Sequence, residues 1–494
     1  MSFTNRLIRS DSSLEPYVWR VFIVVVLGTI MSALDTTIVN VALDTLSHDL
    51  HSPLSTTQWV VSAYLLALAA VVPLNGWAVR RFGARRLYLV ALVVFTVASG
   101  LCAFATSSAE LIFFRAVQGI GGGLLAPTGL TVLVRAVGPG NLPRVMSLFG
   151  LPVVLAPVLG PTLGGILIQS AGWQWIFVIN VPIGIVTFFL VRRLLRRDTP
   201  SAEERDRLDV VGLGLAAVGV VGIAYGLSES DSAGSLFASS VLIPVAAGIV
   251  LVALFVVRSR RVSYPLLDMS LYRNPAFSAA SVVTGCLGAA LFGALILLPL
   301  YYQVARGQDA IHTGLLLIPQ GAGSALGMFL SGRCTNRLGA GRTAFFGASV
   351  MLLATLPLLF LTGATSYVLI SVIMLVRGIG VGLSIMPSMT AAFSVLTHDQ
   401  IGDASPQLNV VQRVGGSFGT AIVAVSLESR LTHLGRHPST SQLASAFGQT
   451  YWWVVGITVL ALVPTAVLWR IESRVRATGV LTVVPPEDRL LELP

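Results

Sequence analysis

The stretch GWAVRRFGARR, residues 76–86, decides the fold, because a version of it returns 256 residues later as GRCTNRLGAGR, residues 332–342. Five of the eleven positions are identical in the two copies. A second pair, GIGGGLLAP (119–127) and GIGVGLSIMP (378–387), repeats with nearly the same offset, 259 residues. The two offsets predict a duplicated chain with two related halves, and paired repeats with a substrate site between them are typical of secondary transporters.

The composition around these repeats is that of a membrane protein. The 494-residue chain is 54% hydrophobic and 11% charged, whereas soluble domains carry about 25% charged residues. Apolar runs of about 20 residues recur along its whole length, enough to cross a hydrocarbon core about 30 Å thick. The net charge of +10 therefore indicates membrane topology and not binding to nucleic acid.

Several kinds of chemistry are excluded by the residues the chain lacks. All 32 basic residues are arginine and none is lysine. A phosphate-binding P-loop and a Schiff-base cofactor both need lysine, so neither a P-loop ATP-driven pump nor a pyridoxal enzyme is expected. The cysteines, at 102, 286 and 334, have neither metal-binding nor disulfide spacing. We see no metal cluster and no nucleophile constellation, so we expect no enzyme, no metal and no cofactor.

Fourteen apolar segments have the length of membrane-spanning helices. We predict these spans near residues 20–43, 57–78, 86–106, 109–134, 145–169, 173–195, 209–228, 237–257, 276–302, 311–332, 342–362, 366–391, 407–428 and 451–471. Arginine placement supports this number, since 26 arginines lie on one side, three on the other and three within spans. Basic loops stay in the cytoplasm, so both termini are predicted to be cytoplasmic, although the inner loop 394–406 has no arginine.

The repeats and spans together predict the domain organisation. Residues 1–197 would form an N-terminal six-helix half, and residues 263–494 a C-terminal six-helix half with a cytoplasmic tail. Residues 198–262 would then hold two inserted helices with their cytoplasmic loops. The predicted fold class is an all-α membrane protein with 6 + 2 + 6 transmembrane helices in two pseudo-symmetric halves.

Four further motifs resemble one known family. LDTTIVNVAL (34–43), FFRAVQGIGGG (113–123), APVLGPTLGG (156–165) and WQWIFVINVPIG (173–184) are similar to signatures of the fourteen-span drug/proton antiporter branch of the major facilitator superfamily. The resemblance covers nearly the whole chain. It implies the major facilitator fold and export of drugs in exchange for protons.

The resemblance also implies which residues carry the conformational change. These are Gly76, Arg81, Gly83, Arg85 and Arg86 after the second span, and Pro157, Gly160, Pro161, Gly164 and Gly165 in the fifth. Proline and glycine in the fifth span indicate a helix that packs tightly and bends at the interface between the halves. One position departs from the family, because Arg80 stands where an aspartate usually takes part in an inter-domain latch. The latch here must use other groups or be weaker.

Asp35 and Arg115 are the candidate proton-coupling residues. Asp35 lies eight residues before the predicted outer end of its helix, about 12 Å deep at 1.5 Å per residue. Arg115 lies six residues into the fourth span, about 9 Å deep. Their similar depth predicts an ion pair, which would make both charges tolerable in a membrane. The pair is either a static structural feature or a proton switch, and the family resemblance favours the switch.

Polar residues inside other spans are candidates for the substrate cavity. Asn409, Gln412 and Arg413 share one face of the thirteenth span, which either packs on other helices or lines the pathway. Arg377, near mid-membrane in the twelfth span, has no visible acidic partner, so backbone carbonyls or substrate would have to satisfy it. The other cavity candidates are Asn40, Tyr64, Gln118, Tyr302, Gln303 and Gln320.

The expected function is proton-coupled efflux of multiple drugs or other lipophilic compounds by alternating access. We expect a multi-pass protein of the cell membrane, driven by the proton gradient, with small lipophilic or cationic substrates and an associated role in antibiotic resistance. We expect it to act as a monomer. Two alternatives are an exporter of an endogenous lipid or metabolite, and a sensor that binds a ligand without transporting it. The short cytoplasmic segments disfavour a sensor.

Overall fold

The protein is described here by a computed structural model. The structure describes residues 15–137, 141–196, 208–229, 237–262, 264–397, 400–434 and 438–477. Within these ranges every regular element is a helix. Some side chains inside helices also lie outside the description, among them Pro157 and Pro161.

Fourteen long helices follow one another along the chain. They are α1 (Pro16–Asp49), α2 (Trp59–Phe82), α3 (Ala84–Ala103), α4 (Ser108–Ala136), α5 (Leu142–Ala171), α6 (Trp175–Leu194), α7 (Val210–Ser228), α8 (Ser239–Ser259), α9 (Pro275–Ala305), α10 (Ala310–Leu338), α11 (Ala340–Phe360), α12 (Tyr367–Ser394), α13 (Ile401–Thr432) and α14 (Thr440–Ala477). A short helix, Leu54–Thr57, precedes α2.

Thirteen of these helices are long and apolar enough to cross a membrane, by length and composition of the described residues. The remaining helix, α5, is 30 residues long and lies where the fifth span is predicted. The protein is thus a multi-pass membrane protein, while the count of fourteen spans stays a prediction. Helix ends differ from the predicted ones by six residues or more in four helices. The helix α1 ends at Asp49 and not near 43, α10 ends at Leu338 and not near 332, α13 begins at Ile401 and not near 407, and α14 covers Thr440–Ala477 and not 451–471.

The repeated sequence forms the same sharp corner in both halves. Gly83 separates α2 from α3 with φ 82° and ψ 147°. Gly339, 256 residues later, separates α10 from α11 with φ 99° and ψ 160°. A residue with a Cβ rarely adopts a positive φ, so glycine is required at this point of each copy. The conserved spacing of the repeat therefore reflects two equivalent helix–corner–helix units.

The second repeat produces matching helix contacts. A Cβ on Gly119 of α4 would collide with the carbonyl oxygen of Tyr64 in α2, and a Cβ on Gly378 of α12 would collide with that of Gln320 in α10. Two residues further on, Gly121 faces α3 and Gly380 faces α11 in the same way. The glycines let α4 and α12 touch the backbones of their neighbours, as small residues do at membrane helix interfaces.

The helices gather in two sets, an N-terminal set of α1–α6 and a C-terminal set of α9–α14, and α7 and α8 pack on each other as a separate pair. At one end of this pair Arg258 Nη2 lies 2.8 Å from Asp209 Oδ1. The pair touches both sets, since the ring of Tyr225 stacks on Trp59 of α2 and Ile223 packs with Ala421 of α13. The domain boundaries at 197/198 and 262/263 remain predictions, and residues 197–207 and 263 lie outside the described residues.

The two sets meet closely at the end of the bundle where Gly83 and Gly339 lie, which we call the inner end because arginine placement predicts that it is cytoplasmic. Ser405 of α13 donates a hydrogen bond of 3.0 Å to the carbonyl of Pro127 in α4. Gly150 of α5 faces the sulfur atoms of Met328 and Met386. These contacts join the two sets near the inner end.

The corner glycines give a stability prediction. Gly83→Ala and Gly339→Ala should each destabilise the protein by about 1–3 kcal/mol, the cost of holding a residue with a Cβ in a backbone region of positive φ and ψ near 150° that is essentially restricted to glycine. Thermal unfolding in detergent should show a lower midpoint for both variants. The matched control is Gly456→Ala in α14, where a new Cβ meets nothing within 4 Å and alanine is the better helix former. Equal midpoints for all three variants would contradict the argument.

Candidate functional site

Asp35 and Arg115 face each other inside the N-terminal set of helices. Arg115 Nη1 lies 2.6 Å from Asp35 Oδ2, and both side chains are buried. Asp35 lies eight residues before Leu43, where the apolar span of α1 ends, about 12 Å along the axis, and the helix itself continues to Asp49. Arg115 also donates through Nε to the carbonyl of Val60, at 3.0 Å. The arginine thus bridges α1, α2 and α4.

Three polar side chains complete the surroundings of this pair. Gln118 accepts a hydrogen bond from Arg115 Nη1 at 2.8 Å and donates one to Asp35 Oδ1 at 2.9 Å. Asn180 of α6 donates to the same carboxylate oxygen at 3.1 Å. Ser99 of α3 accepts from both amides, each at 3.1 Å, and donates to the carbonyl of Phe177 at 3.0 Å. Asn180 and Ser99 were not predicted as site residues.

We call the group Asp35, Arg115, Gln118, Asn180, Ser99 and Tyr64 the carboxylate cluster. The Tyr64 ring covers the arginine, with its centroid 4.0 Å from Arg115 Cζ. Arg115, Gln118 and Asn180 all donate to Asp35, and an ionised carboxylate can accept from all of them. A protonated carboxyl is neutral and carries a donor on one oxygen, so taking up a proton at Asp35 weakens these charge-assisted bonds and favours a different arrangement of the three donors. Protonation and side-chain arrangement are therefore coupled in this cluster.

The motif of the fifth span, residues 156–165, packs against the part of α1 that follows Asp35. A Cβ on Gly160 would collide with Thr37 of α1, and Gly164 faces Ile38. Thr37 also donates a hydrogen bond of 3.2 Å to the carbonyl of Ala156 in α5. These two glycines therefore pack α5 against the helix that carries Asp35, whereas Gly150 supplies a contact with the other set. Gly165 has nothing within 4 Å of a built Cβ, and the side chains of Pro157 and Pro161 lie outside the described residues.

Arg80, the position that departs from the family pattern, has an acidic partner in the other set of helices. Its guanidinium forms a salt bridge with Asp403, in the first turn of α13. It also donates to the carbonyl of Pro265 at 3.2 Å. Gly76 lies one turn before Arg80 in α2, and a Cβ there would collide with the Asp403 carboxylate. The sequence predicted that other groups replace the usual aspartate or that the latch is weaker. At the inner end the structure has the Arg80–Asp403 salt bridge at this position.

The remaining motif residues lie close to this contact. Gly83 forms the corner after α2. Arg85 donates to the carbonyl of Arg192 at the end of α6, at 3.0 Å, and ties two inner helix ends of the N-terminal set together. Arg81 and Arg86 are exposed.

The predicted cavity residues fall into two groups. Gln118 and Tyr64 belong to the carboxylate cluster, and Tyr302 and Gln320 are also buried. Asn40 and Gln303 are exposed, and Asn409, Gln412 and Arg413 of α13 are half-buried. The structure therefore leaves the second group accessible for contact with a small molecule, while the first group lies behind other side chains.

Arg377 lies buried in the C-terminal set, where its partners are neutral. Nε donates to Thr355 Oγ1 and Nη2 to the carbonyl of Ala290, both at 3.3 Å. A backbone carbonyl was one of the partners considered from the sequence. Nη1 has no hydrogen-bond partner among the described residues.

A comparison of the sequence with known families gives one decisive match. The model of the Major Facilitator Superfamily matches residues 25–420. The chain belongs to the Major Facilitator Superfamily. This family consists of transporters, and both the helix architecture and the internal repeat of this major facilitator agree with its fold.

Curated relatives and solved structures agree with this assignment. This major facilitator is similar to a multidrug resistance protein B homolog of Mycobacterium tuberculosis, with 39% identity over 83% of this chain and 76% of the relative. It is 33% identical to a methylenomycin A resistance protein of Bacillus subtilis, over 83% of this chain and 88% of the relative. The proton:xylose symporter XylE has the same fold, with a TM-score of 0.59 at 14% identity over 90% of this chain and 94% of XylE.

Proposed function

We propose that this major facilitator is a proton-coupled exporter of multiple lipophilic compounds, antibiotics among them, in the cell membrane with both termini cytoplasmic. The names of the relatives, which include multidrug and methylenomycin A resistance, support the substrate range. The observation that carries the proton coupling is the buried Asp35–Arg115 pair inside a network of amide and hydroxyl groups.

In this proposal Asp35 takes up a proton when the cavity opens to the outside. The neutral carboxyl releases Arg115, and the hydrogen bonds from Gln118 and Asn180 rearrange. Because Thr37 joins α1 to α5 two residues after Asp35, the change in the cluster reaches the helix that touches the other half. The two halves then rock to the inward-facing form, where the proton leaves and substrate is loaded. The proton gradient drives the cycle, and no bound cofactor is part of it.

Dye export under an imposed pH difference tests this proposal. In inside-out vesicles that contain the protein, acidifying the lumen should drive accumulation of a fluorescent lipophilic dye. Collapsing the pH difference with nigericin should stop accumulation within the same trace. Vesicles without the protein serve as the control. Accumulation that continues unchanged after the pH difference is gone would contradict proton coupling.

A further inference from the structure

Arg413 differs from the other arginines deep within the spans. Arg115 pairs with Asp35, and Arg377 donates to Thr355 and to a backbone carbonyl. Arg413 makes no hydrogen bond or ion pair with the residues that the structure describes, and it is half-buried. It lies twelve residues into α13, about 18 Å along the helix axis. A charge at such a depth needs a counter-charge or water.

The face of α13 that carries Arg413 is directed at the N-terminal half. A side chain built on Gly402 would touch Val79 of α2, and Ser405 donates to Pro127 of α4. Eleven residues separate Gly402 from Arg413, which is about three full turns, so both lie on one face. Arg413 therefore points into the space between the halves and not towards lipid.

The acids of the neighbouring helices already have cationic partners. Asp35 pairs with Arg115 and accepts hydrogen bonds from Gln118 and Asn180, and Asp403 pairs with Arg80. The half-buried residues beside Arg413 on the same helix, Asn409 and Gln412, are uncharged amides. The interface between the halves at this depth thus presents one positive charge that no described acid balances.

We infer that Arg413 binds the negatively charged group of an amphiphilic organic anion, such as a lipophilic carboxylate or sulfonate. This inference rests on the proposed export function and narrows its substrates, since the sequence alone suggested lipophilic or cationic compounds. A guanidinium recognises carboxylate and sulfonate oxygens through a planar set of donors. The apolar body of the anion would lie between the halves, and Asn409 and Gln412 would supply further donors.

Two probes with the same apolar body and opposite charge test this inference. Pyrenebutanesulfonate and pyrenebutyl-trimethylammonium are titrated into the purified protein in lipid nanodiscs, and binding is followed by energy transfer from tryptophan. The wild type should bind the sulfonate more tightly. Arg413→Gln should weaken sulfonate binding by about 10- to 100-fold, the range for a lost charge-assisted contact, and should leave ammonium binding unchanged or tighter. Arg413→Lys keeps the charge but loses the planar set of donors, so it should weaken sulfonate binding less than Arg413→Gln does.

The matched control is Arg430→Gln, which removes a positive charge from the outer end of the same helix. It should leave sulfonate binding unchanged. Tighter binding of the ammonium probe by the wild type, or equal sulfonate affinity in wild type and Arg413→Gln, would overturn the inference. An equal loss of both probes in Arg413→Gln would also overturn it, because it would indicate a structural role. This binding experiment does not depend on transport. A failure of the proposed proton coupling would appear in the vesicle assay, whereas a failure of the inference about Arg413 would appear only in the binding experiment.

Discussion

Asp35→Asn is expected to abolish accumulation driven by a pH difference, reducing it to the level of vesicles without the protein. Asparagine keeps the shape of the side chain and can still accept from Gln118 and Asn180, but it cannot take up and release a proton. The same variant should still exchange labelled for unlabelled substrate across the membrane when no gradient is imposed. The measurement is a pair of assays on one preparation, gradient-driven uptake and gradient-free exchange.

The control for this prediction addresses folding. Removing one partner of a buried ion pair costs about 3–5 kcal/mol, so Asp35→Asn leaves the Arg115 charge uncompensated. The double variant Asp35→Asn with Arg115→Gln removes both charges and should recover stability without recovering gradient-driven uptake. Wild-type uptake in either variant would remove Asp35 from the coupling mechanism. Loss of exchange as well as uptake in a folded double variant would assign the cluster a structural role.

The ion pair could be predicted from the sequence, because the rise of 1.5 Å per residue in a helix converts the distance in sequence from a helix end into a depth in the membrane. Counting from predicted helix ends gave Asp35 and Arg115 similar depths, and two opposite charges at one depth in one half have a strong reason to meet. Asn180 and Ser99 could not be anticipated in this way. They lie on other helices, and which faces of four helices converge is set by packing. The polar Asn180 within WQWIFVINVPIG was the signal that could have led to it.

Helix ends were misjudged for a related reason. Hydropathy is low at the polar residues Asp44 and His48, after the first predicted span, and at Asp403 and Ser405, before the thirteenth. The sequence therefore predicted that these residues lie outside the helices. The structure continues α1 and α13 through these residues, because a helix needs only satisfied backbone and accessible or paired side chains. The same error hid the partner of Arg80, since Asp403 had been assigned to a loop.

Reversing the charges of the Arg80–Asp403 pair should show that it holds the inner end closed. Arg80→Asp places two carboxylates together, and like charges in contact cost several kcal/mol. The inner end should therefore open more readily, and gradient-driven uptake should fall by about tenfold or more. Asp403→Arg should have a similar effect, because it places two guanidinium groups together. The combination Arg80→Asp with Asp403→Arg restores opposite charges and should return uptake to near the wild-type rate.

The double-mutant cycle measures the interaction directly, because it subtracts effects that each substitution has elsewhere. Arg80 also donates to the carbonyl of Pro265, and that contact is lost in both variants that carry Arg80→Asp. The matched control is Arg337→Asp, an exposed inner-end arginine that occupies the position in the second repeat next to the counterpart of Arg80, and it should leave uptake unchanged. If the double reversal stays as inactive as the single variants, the pair does not act as a latch. Recovery would show that this transporter closes its inner end with a salt bridge at a position where the family usually carries an aspartate.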